Sequence, residues 1–396
     1  MNILVLGKPK YNIIMQTENY PVENSKNVVT EKLEITGGTS VYVACMLAKW
    51  GMKVFYAGAI SGDEIGNKIK SEIESYGVDT KYLETNYESK SNINYVVINK
   101  ANGSSTEVEH INNVFAQKFK YDFVPDYVIT DGSDMGASMA IANNYPSTKI
   151  ILLANKVSNE FYNLSKRSKY VCANINFAEA LTKLKYEFNR PKSLVDFYQK
   201  IKDLNNAEYI LMLRSRGVLY TKGRQVKMIP GIPVEKVLDD SNSGSAFFAA
   251  YAYGIINNYD MDEVAKIANI AGGLALTKVG SLKTIPEKEE VYQMAGIKEG
   301  VKSEPTVQAN QANSPATSQN VVANTQTTVA KEVNPPANGQ TTNNQTNVAA
   351  NKQSVINNQT IQTPTATTAP VQNQVANNPV NNETSTKVEG TTNGTL

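Results

Sequence analysis

The chain is short of the residues on which metal and redox centres depend. Its 396 residues include two cysteines, Cys45 and Cys172, and one histidine, His110. Each cysteine lies in an apolar stretch and reads as a small buried hydrophobe in a reducing compartment. A single histidine excludes a His-rich zinc site and confines any Ser/His/Asp triad to that one position. His110 reads as a polar residue near the end of a β-hairpin. Apolar runs are short as well, and none approaches the roughly twenty residues of a membrane span. The N-terminal MNILVLGKPK lacks a secretory apolar core and cleavage site, so it reads as a first β-strand and the expected location is the cytoplasm.

An excess of one charge is missing too. With 39 basic and 37 acidic residues the formal net charge is +2, which gives no polyanion-binding signature, so nucleic acid and membrane are not expected partners. The C-terminal stretch 301–396 lacks Phe, Tyr, Trp, Met and Cys and is dominated by Asn, Gln, Thr, Ala, Val and Pro. So little apolar surface cannot offset the entropy of ordering, and 298–396 reads as a disordered, dispensable polar tail.

What remains, 1–297, carries strong patterns. Asn2 to Leu6 and Lys32 to Thr36 read as strands, the latter leading to Gly37-Gly38 and a helix from Ser40 to Trp50 closed by Gly51. Lys53 to Ala57 reads as the next strand, and Gly58 to Gly66 as a turn opening another helix. Asn92 to Asn99 and Ser105 to Ile111 alternate about Asn102-Gly103, which predicts a hairpin with a type I′-like turn. Strands at Tyr127 to Thr130, Lys149 to Ala154, Tyr170 to Ala173 and Tyr209 to Leu213 alternate with helical segments. That alternation argues for an α/β doubly wound parallel sheet, with ligands at the carboxyl ends of its strands. Met261 to Val279 reads as a helix ending in Gly280, with a last helix beginning near Pro286. Ahead of both, Val237 to Ala250 (VLDDSNSGSAFFAA) is a polar turn feeding a buried helix, whose N-terminal N–H groups and dipole suit an anion.

This stretch resembles the DTxGAGDxF signature of the PfkB, or ribokinase-like, carbohydrate and nucleoside kinases. Asp239 stands at its leading Asp and Gly244 at its second Gly. Gly37, Gly38, Ala44, Leu47, Ala48, Gly51, Gly58, Asp63 and Gly66 match the family's GGxxxNxAxxLAxLG and GxxGxDxxG. The resemblance covers Met1 to about Ile297 and implies a ribokinase-like fold whose segments of about 11–36 and 92–113 form a β lid that often mediates dimers. It implies a sugar or nucleoside acceptor, with ATP and Mg²⁺ where the chemistry is intact. Asn242, Ser243 and Gly244 would form the anion hole. Asn12, Gly37, Gly38 and Tyr42 would face the substrate, with Asn12 at a family Asp and Tyr42 at a family Asn. An ordinary loop role for Asn12, and core filling for Tyr42, remain open.

Asn176 and Glu179 fall on the family's N-x-x-E, which organises Mg²⁺; helix capping by the same pair is the alternative. Arg214 and Gly217 fall on the nucleotide loop, and Asn269 and Gly280 on the segment near the adenine. Arg214 would clamp a phosphate, occupy its space, or sit in a solvated turn. Ser245 stands where the family carries its general-base Asp, and a serine hydroxyl is no useful proton acceptor near neutral pH. The resemblance therefore implies an impaired kinase that binds a sugar, nucleoside or phosphate. Two other readings stand beside it: an active kinase whose base is Asp239 or Asp240, and an assembly protein working through lid and tail.

Overall fold

The computed structural model describes residues 1–187 and 190–297; the polar extension 298–396 lies outside the described residues. In chain order the strands are Ile3–Leu6 (β1), Lys10–Thr17 (β2), Glu31–Gly37 (β3), Val54–Ser61 (β4), Asp79–Asn86 (β5), Ile93–Asn99 (β6), Ser105–His110 (β7), Tyr127–Thr130 (β8), Lys149–Ala154 (β9), Tyr170–Asn174 (β10), Glu208–Met212 (β11), Val218–Lys222 (β12) and Gln225–Ile229 (β13). The helices are Thr39–Lys49 (α1), Glu64–Ser75 (α2), Met135–Asn144 (α3), Asn159–Arg167 (α4), Ile175–Thr182 (α5), Pro191–Leu204 (α6), Ser243–Ile256 (α7), Met261–Ala275 (α8) and Lys288–Ala295 (α9).

The main sheet has nine strands in the order β13-β12-β11-β10-β9-β8-β1-β4-β5. From β11 to β5 all neighbours are parallel, while β12 and β13 join antiparallel at one edge. This is the doubly wound, mainly parallel sheet that the strand-helix alternation implies. β1 and β8 are buried at every residue, as strands covered on both faces must be. The chain leaves β1 toward β4 and β5, then returns to its other side with β8. The order thus reverses at the β1/β8 seam, where doubly wound sheets open a crevice. A second, four-stranded sheet runs β3-β2-β6-β7, with β2 and β6 parallel and the outer pairs antiparallel.

Three local readings need correction. β4 continues to Ser61, so the first half of the expected turn at Gly58 is strand. β5, β12 and β13 went unread; β5 and β13 are the edge strands of the sheet and of mixed polarity, and β12 pairs between β11 and β13. The β6–β7 turn is not type I′, because Gly103 has φ +71° while Asn102 does not enter the left-handed region. A Cβ on Gly103 would lie 2.3 Å from the carbonyl oxygen of Val237. Docking against 237–240 shapes this turn, overriding the local preference of Asn-Gly.

Two cores flank the main sheet. One gathers α1, α7, α8 and α9 with residues such as Trp50, Phe248 and Ile267, and the other packs Ile141, Phe161 and Phe197 from α3, α4 and α6. α7 is buried from Ser245 to Ile256, which an apolar helix rich in alanine can be when neighbours cover every side. Small residues bring α8 close: a Cβ on Gly272 would lie 3.2 Å from the carbonyl oxygen of Ser243. This packing fixes the N-terminal turn of α7 opposite the carboxyl ends of β10 and β11. Among the described residues no helix is long and apolar enough to cross a membrane.

Candidate functional site

Two cavities meet at the start of α7. The first, about 460 Å³, lies over the ends of β10 and β11 and reaches Arg214, Gly217, Ser243, Phe247 and Asn269. The second, about 390 Å³, opens toward β1 and β8 and reaches Lys8, Thr39, Asp131 and Ser245. Asn174, Met212 and Gly244 line both. The crevice thus sits where the strand order reverses, with the helix N-terminus dividing it in two.

No side chain caps α7, and its first turn contains no acidic residue. The opening N–H groups consequently keep their donors and the dipole its positive end for a ligand. Asn242 at the N-cap has φ −113° and ψ −1°, so this position needs no left-handed residue. Its amide donates to the Ser241 hydroxyl at 2.7 Å. Nothing lies within 4 Å of a Cβ built on Gly244. Ser245 is buried in the wall of the second cavity, its hydroxyl donating to that of Thr39 at 3.3 Å.

Of the two aspartates before the helix, Asp240 lines the first cavity and Asp239 lines neither. Asp239, fully buried, accepts from the Ser241 N–H and hydroxyl through Oδ1 and from the Gly280 N–H through Oδ2. Asp240 accepts from the N–H and hydroxyl of Ser105 in β7.

The residues expected at a nucleotide site divide. Arg214, at φ +58°, exposes its side chain in a short 3-10 turn and lines the first cavity. Gly217 lines it at φ +102°, and a Cβ there would lie 2.0 Å from the Ile229 carbonyl oxygen, so glycine is required. Asn269 lines it and donates to the Pro230 carbonyl at 2.8 Å. Gly280 does not line it; at φ +104° it packs against Leu33 and binds Asp239.

The residues expected at a substrate site divide as well. Gly38, at φ +100°, lines the second cavity. Gly37 packs on the Asn12 amide instead, leaving no room for a Cβ. Asn12 is a buried β2 residue, not a loop residue, and accepts from Asn94 at 3.1 Å. Tyr42 is 1% exposed within the core, its hydroxyl 3.1 Å from that of Thr284. Burial drives its pKa above the ordinary tyrosine value. It fills space under the second sheet and lines neither cavity.

Asn176 lines the first cavity, but Glu179 does not join it there. Glu179 accepts from the Tyr186 N–H at 2.9 Å and from the Lys185 ammonium at 3.0 Å. These two, the N–H first, hold its pKa below the usual carboxylate value. The N-cap of α5 is Asn174, which accepts from the Phe177 N–H, so capping by Asn176 is corrected too. Among the described residues no three His, Cys, Asp or Glu side chains converge on a metal position, and the Asn176/Glu179 pair does not fit as a protein-held Mg²⁺ site.

Several lining residues carried no sequence signal. Lys8, Lys10 and Lys156 reach the second cavity from loops and a strand end, and Asp131 follows β8. Asp131 is held by the Ser40 N–H on one oxygen and by the Ser133 N–H and hydroxyl on the other. Burial lowers the pKa of Lys8; Asp134 opposes that shift and Lys156 adds to it.

A helix N-terminus shared by two adjoining cavities, at the reversal of a doubly wound sheet, marks the class as a doubly wound α/β protein with a divided crevice. The family model described as pfkB family carbohydrate kinase matches residues 2–288, and the chain belongs to that family. It is 22% identical over 299 residues to a ribokinase of Bacillus subtilis (strain 168), covering 74% of this chain and 99% of the relative. A putative ribokinase from Agrobacterium tumefaciens has the same fold, with TM-score 0.66 at 17% identity, covering 74% of this chain and 97% of the other. So does Arabidopsis thaliana ribokinase, solved with ribose and ATP, with TM-score 0.61 at 16% identity and coverage of 75% and 99%.

Proposed function

We propose that this chain is a ribokinase-like protein that binds a nucleotide in the first cavity and a sugar-like acceptor in the second, with phosphoryl transfer severely impaired. The observation that carries this reading is Ser245. It lies in the wall of the second cavity beside Gly244, at the position of the family's general base, and its hydroxyl is already bound to Thr39. Neither neighbouring aspartate stands in for the missing carboxylate: Asp239 is buried and holds Ser241 and Gly280, and Asp240, which holds Ser105 through one oxygen, lines the first cavity and not the second. Loss of a positioned general base costs about a hundred- to ten-thousand-fold.

Binding has separate support. A cavity of about 460 Å³ with apolar residues Ile232, Val234, Phe247 and Leu276 in its wall and Arg214 at its side suits a flat base carrying phosphates. ATP is the ligand that the Arabidopsis relative was solved with. Bound there, it would supply the transferable phosphoryl group; α7 would present N–H donors to it, and Arg214 a guanidinium.

The test is ADP release over a panel of sugars, sugar acids and nucleosides, with ATP binding followed by melting temperature. Wild type should be stabilised by ATP yet turn over slowly, and Ser245→Asp should raise turnover by about a hundredfold or more. Brisk wild-type turnover that Asp239→Asn or Asp240→Asn abolishes would overturn the proposal.

A further inference from the structure

Alternation along β7, S-T-E-V-E-H, decides which of its side chains share a face. Ser105, Glu107 and Glu109 stand opposite Ile98, Val96 and Asn94 of β6, all three of which are buried. Two of the three β7 residues are engaged: Ser105 is held by Asp240, and Glu109 pairs with Lys10. Glu107 lines the second cavity with one carboxylate oxygen to spare. Among the described residues it forms no ion pair, and its one side-chain hydrogen bond is to the Asn94 amide, which donates to Oε2 at 2.9 Å.

The groups behind Glu107 fix its position. Asn94 is 3% exposed and Asn12, opposite it on β2, is 7% exposed; neither lines the cavity. The Asn94 amide gives one donor to Asn12 Oδ1, at 3.1 Å, and one to Glu107, while its own carbonyl oxygen is buried without a partner. An orphaned buried acceptor opposes folding. Turning the amide over would set that oxygen against the Glu107 carboxylate, so the contact with Glu107 decides its orientation. An ionised carboxylate only accepts, and whatever binds its free oxygen must donate. Lys8, Lys10 and Lys156 border the same cavity and disfavour a cationic donor, which leaves hydroxyls.

Resting on the reading of this cavity as the acceptor site, we infer that Glu107 is a specificity-determining residue there: its free oxygen takes an acceptor hydroxyl other than the one presented to α7. Asn94, backed by Asn12, is the positioning residue that aims it. The position expected to face the substrate on β2 thus acts two side chains away, through the second sheet.

The test is calorimetric titration of the full chain with ribose, fructose and glucose, each beside its monodeoxy analogues. A parent sugar should bind wild type about tenfold or more tighter than the analogue lacking the hydroxyl that Glu107 takes. In Glu107→Ala, at an exposed position, parent and analogue should bind alike while the unliganded melting temperature is kept. Loosening of the second sheet would weaken both sugars together and leave their ratio intact, so loss of the ratio reports contact. Asn94→Ala, which removes no ligand contact, should narrow the ratio as well; a ratio that it leaves at the wild-type value overturns the positioning role. A ratio that survives Glu107→Ala, or a parent behind which no analogue falls, overturns the inference. If none of the sugars binds while ATP raises the melting temperature, the acceptor reading of the second cavity fails and takes the inference with it.

Discussion

Glu179 spans the end of α5, one oxygen taking the Tyr186 N–H and the other the Lys185 ammonium. Both donors favour the ionised carboxylate and hold its pKa below the usual 4.5. The unfolded chain therefore binds this proton more tightly than the native one. The stability contributed is complete above the unfolded value and is lost as pH falls through the native one. Urea unfolding of wild type and Glu179→Gln should differ at about pH 7 and converge as the pH falls below the ordinary carboxylate range. A gap that does not change with pH would mean that the carboxylate's charge is irrelevant there. Ser245 is the counterpart at this scale: the backbone, the helix and the cavity wall are in place, and the proposed impairment turns on a single functional group.

At the junction of β4 and α2, a Cβ on Gly66 would stand 1.9 Å from the carbonyl oxygen of Ser61. Backbone cannot yield as a flexible side chain can, so Gly66→Ala should cost about 3 kcal/mol, read as a lower urea midpoint with unchanged slope. Gly58 is similar, its missing Cβ 2.4 Å from the Gly7 carbonyl oxygen. Contacts of this kind made the framework legible, since a glycine required by backbone leaves a mark at fixed spacing. β8 and β9 were legible at their full extents because both are largely buried apolar runs. The site was less legible. Lys8 and Lys156 are loop residues far apart in sequence, and no periodicity marks a lysine that topology brings to a cavity. Asn174 ends β10, caps α5 and lines both cavities, yet Asn176 two residues on offered the better motif. Tyr42 sits on a helix face turned inward, which a spacing match alone does not reveal.

Over the whole molecule, Asp240 fastens the loop before α7 to the second sheet. Its carboxylate takes the N–H and hydroxyl of Ser105 in β7, and its own N–H donates to the Gly103 carbonyl in the β6–β7 turn. The loop that leads into α7 is thereby tied to the second sheet, which borders the second cavity through Glu107 and Glu109. A cover of this sort excludes water from a bound acceptor. Asp240→Ala should speed hydrogen exchange of the amides in 101–106 by about tenfold or more, with the α7 amides unchanged. Unaltered exchange there would show that the turn is held by packing against Val237 alone.

Gly244 borders both cavities, and no atom stands within 4 Å of where its side chain would begin. Neither turn geometry nor packing forces glycine at this place, unlike Gly66 or Gly217. Its bareness leaves a passage: with Asn174 and Met212 it frames a doorway between two rooms, and of the three it alone brings no side chain to the frame. Traffic through the doorway can be narrowed without loading any wall of the house, so the fold and the meeting of its guests are free to evolve apart.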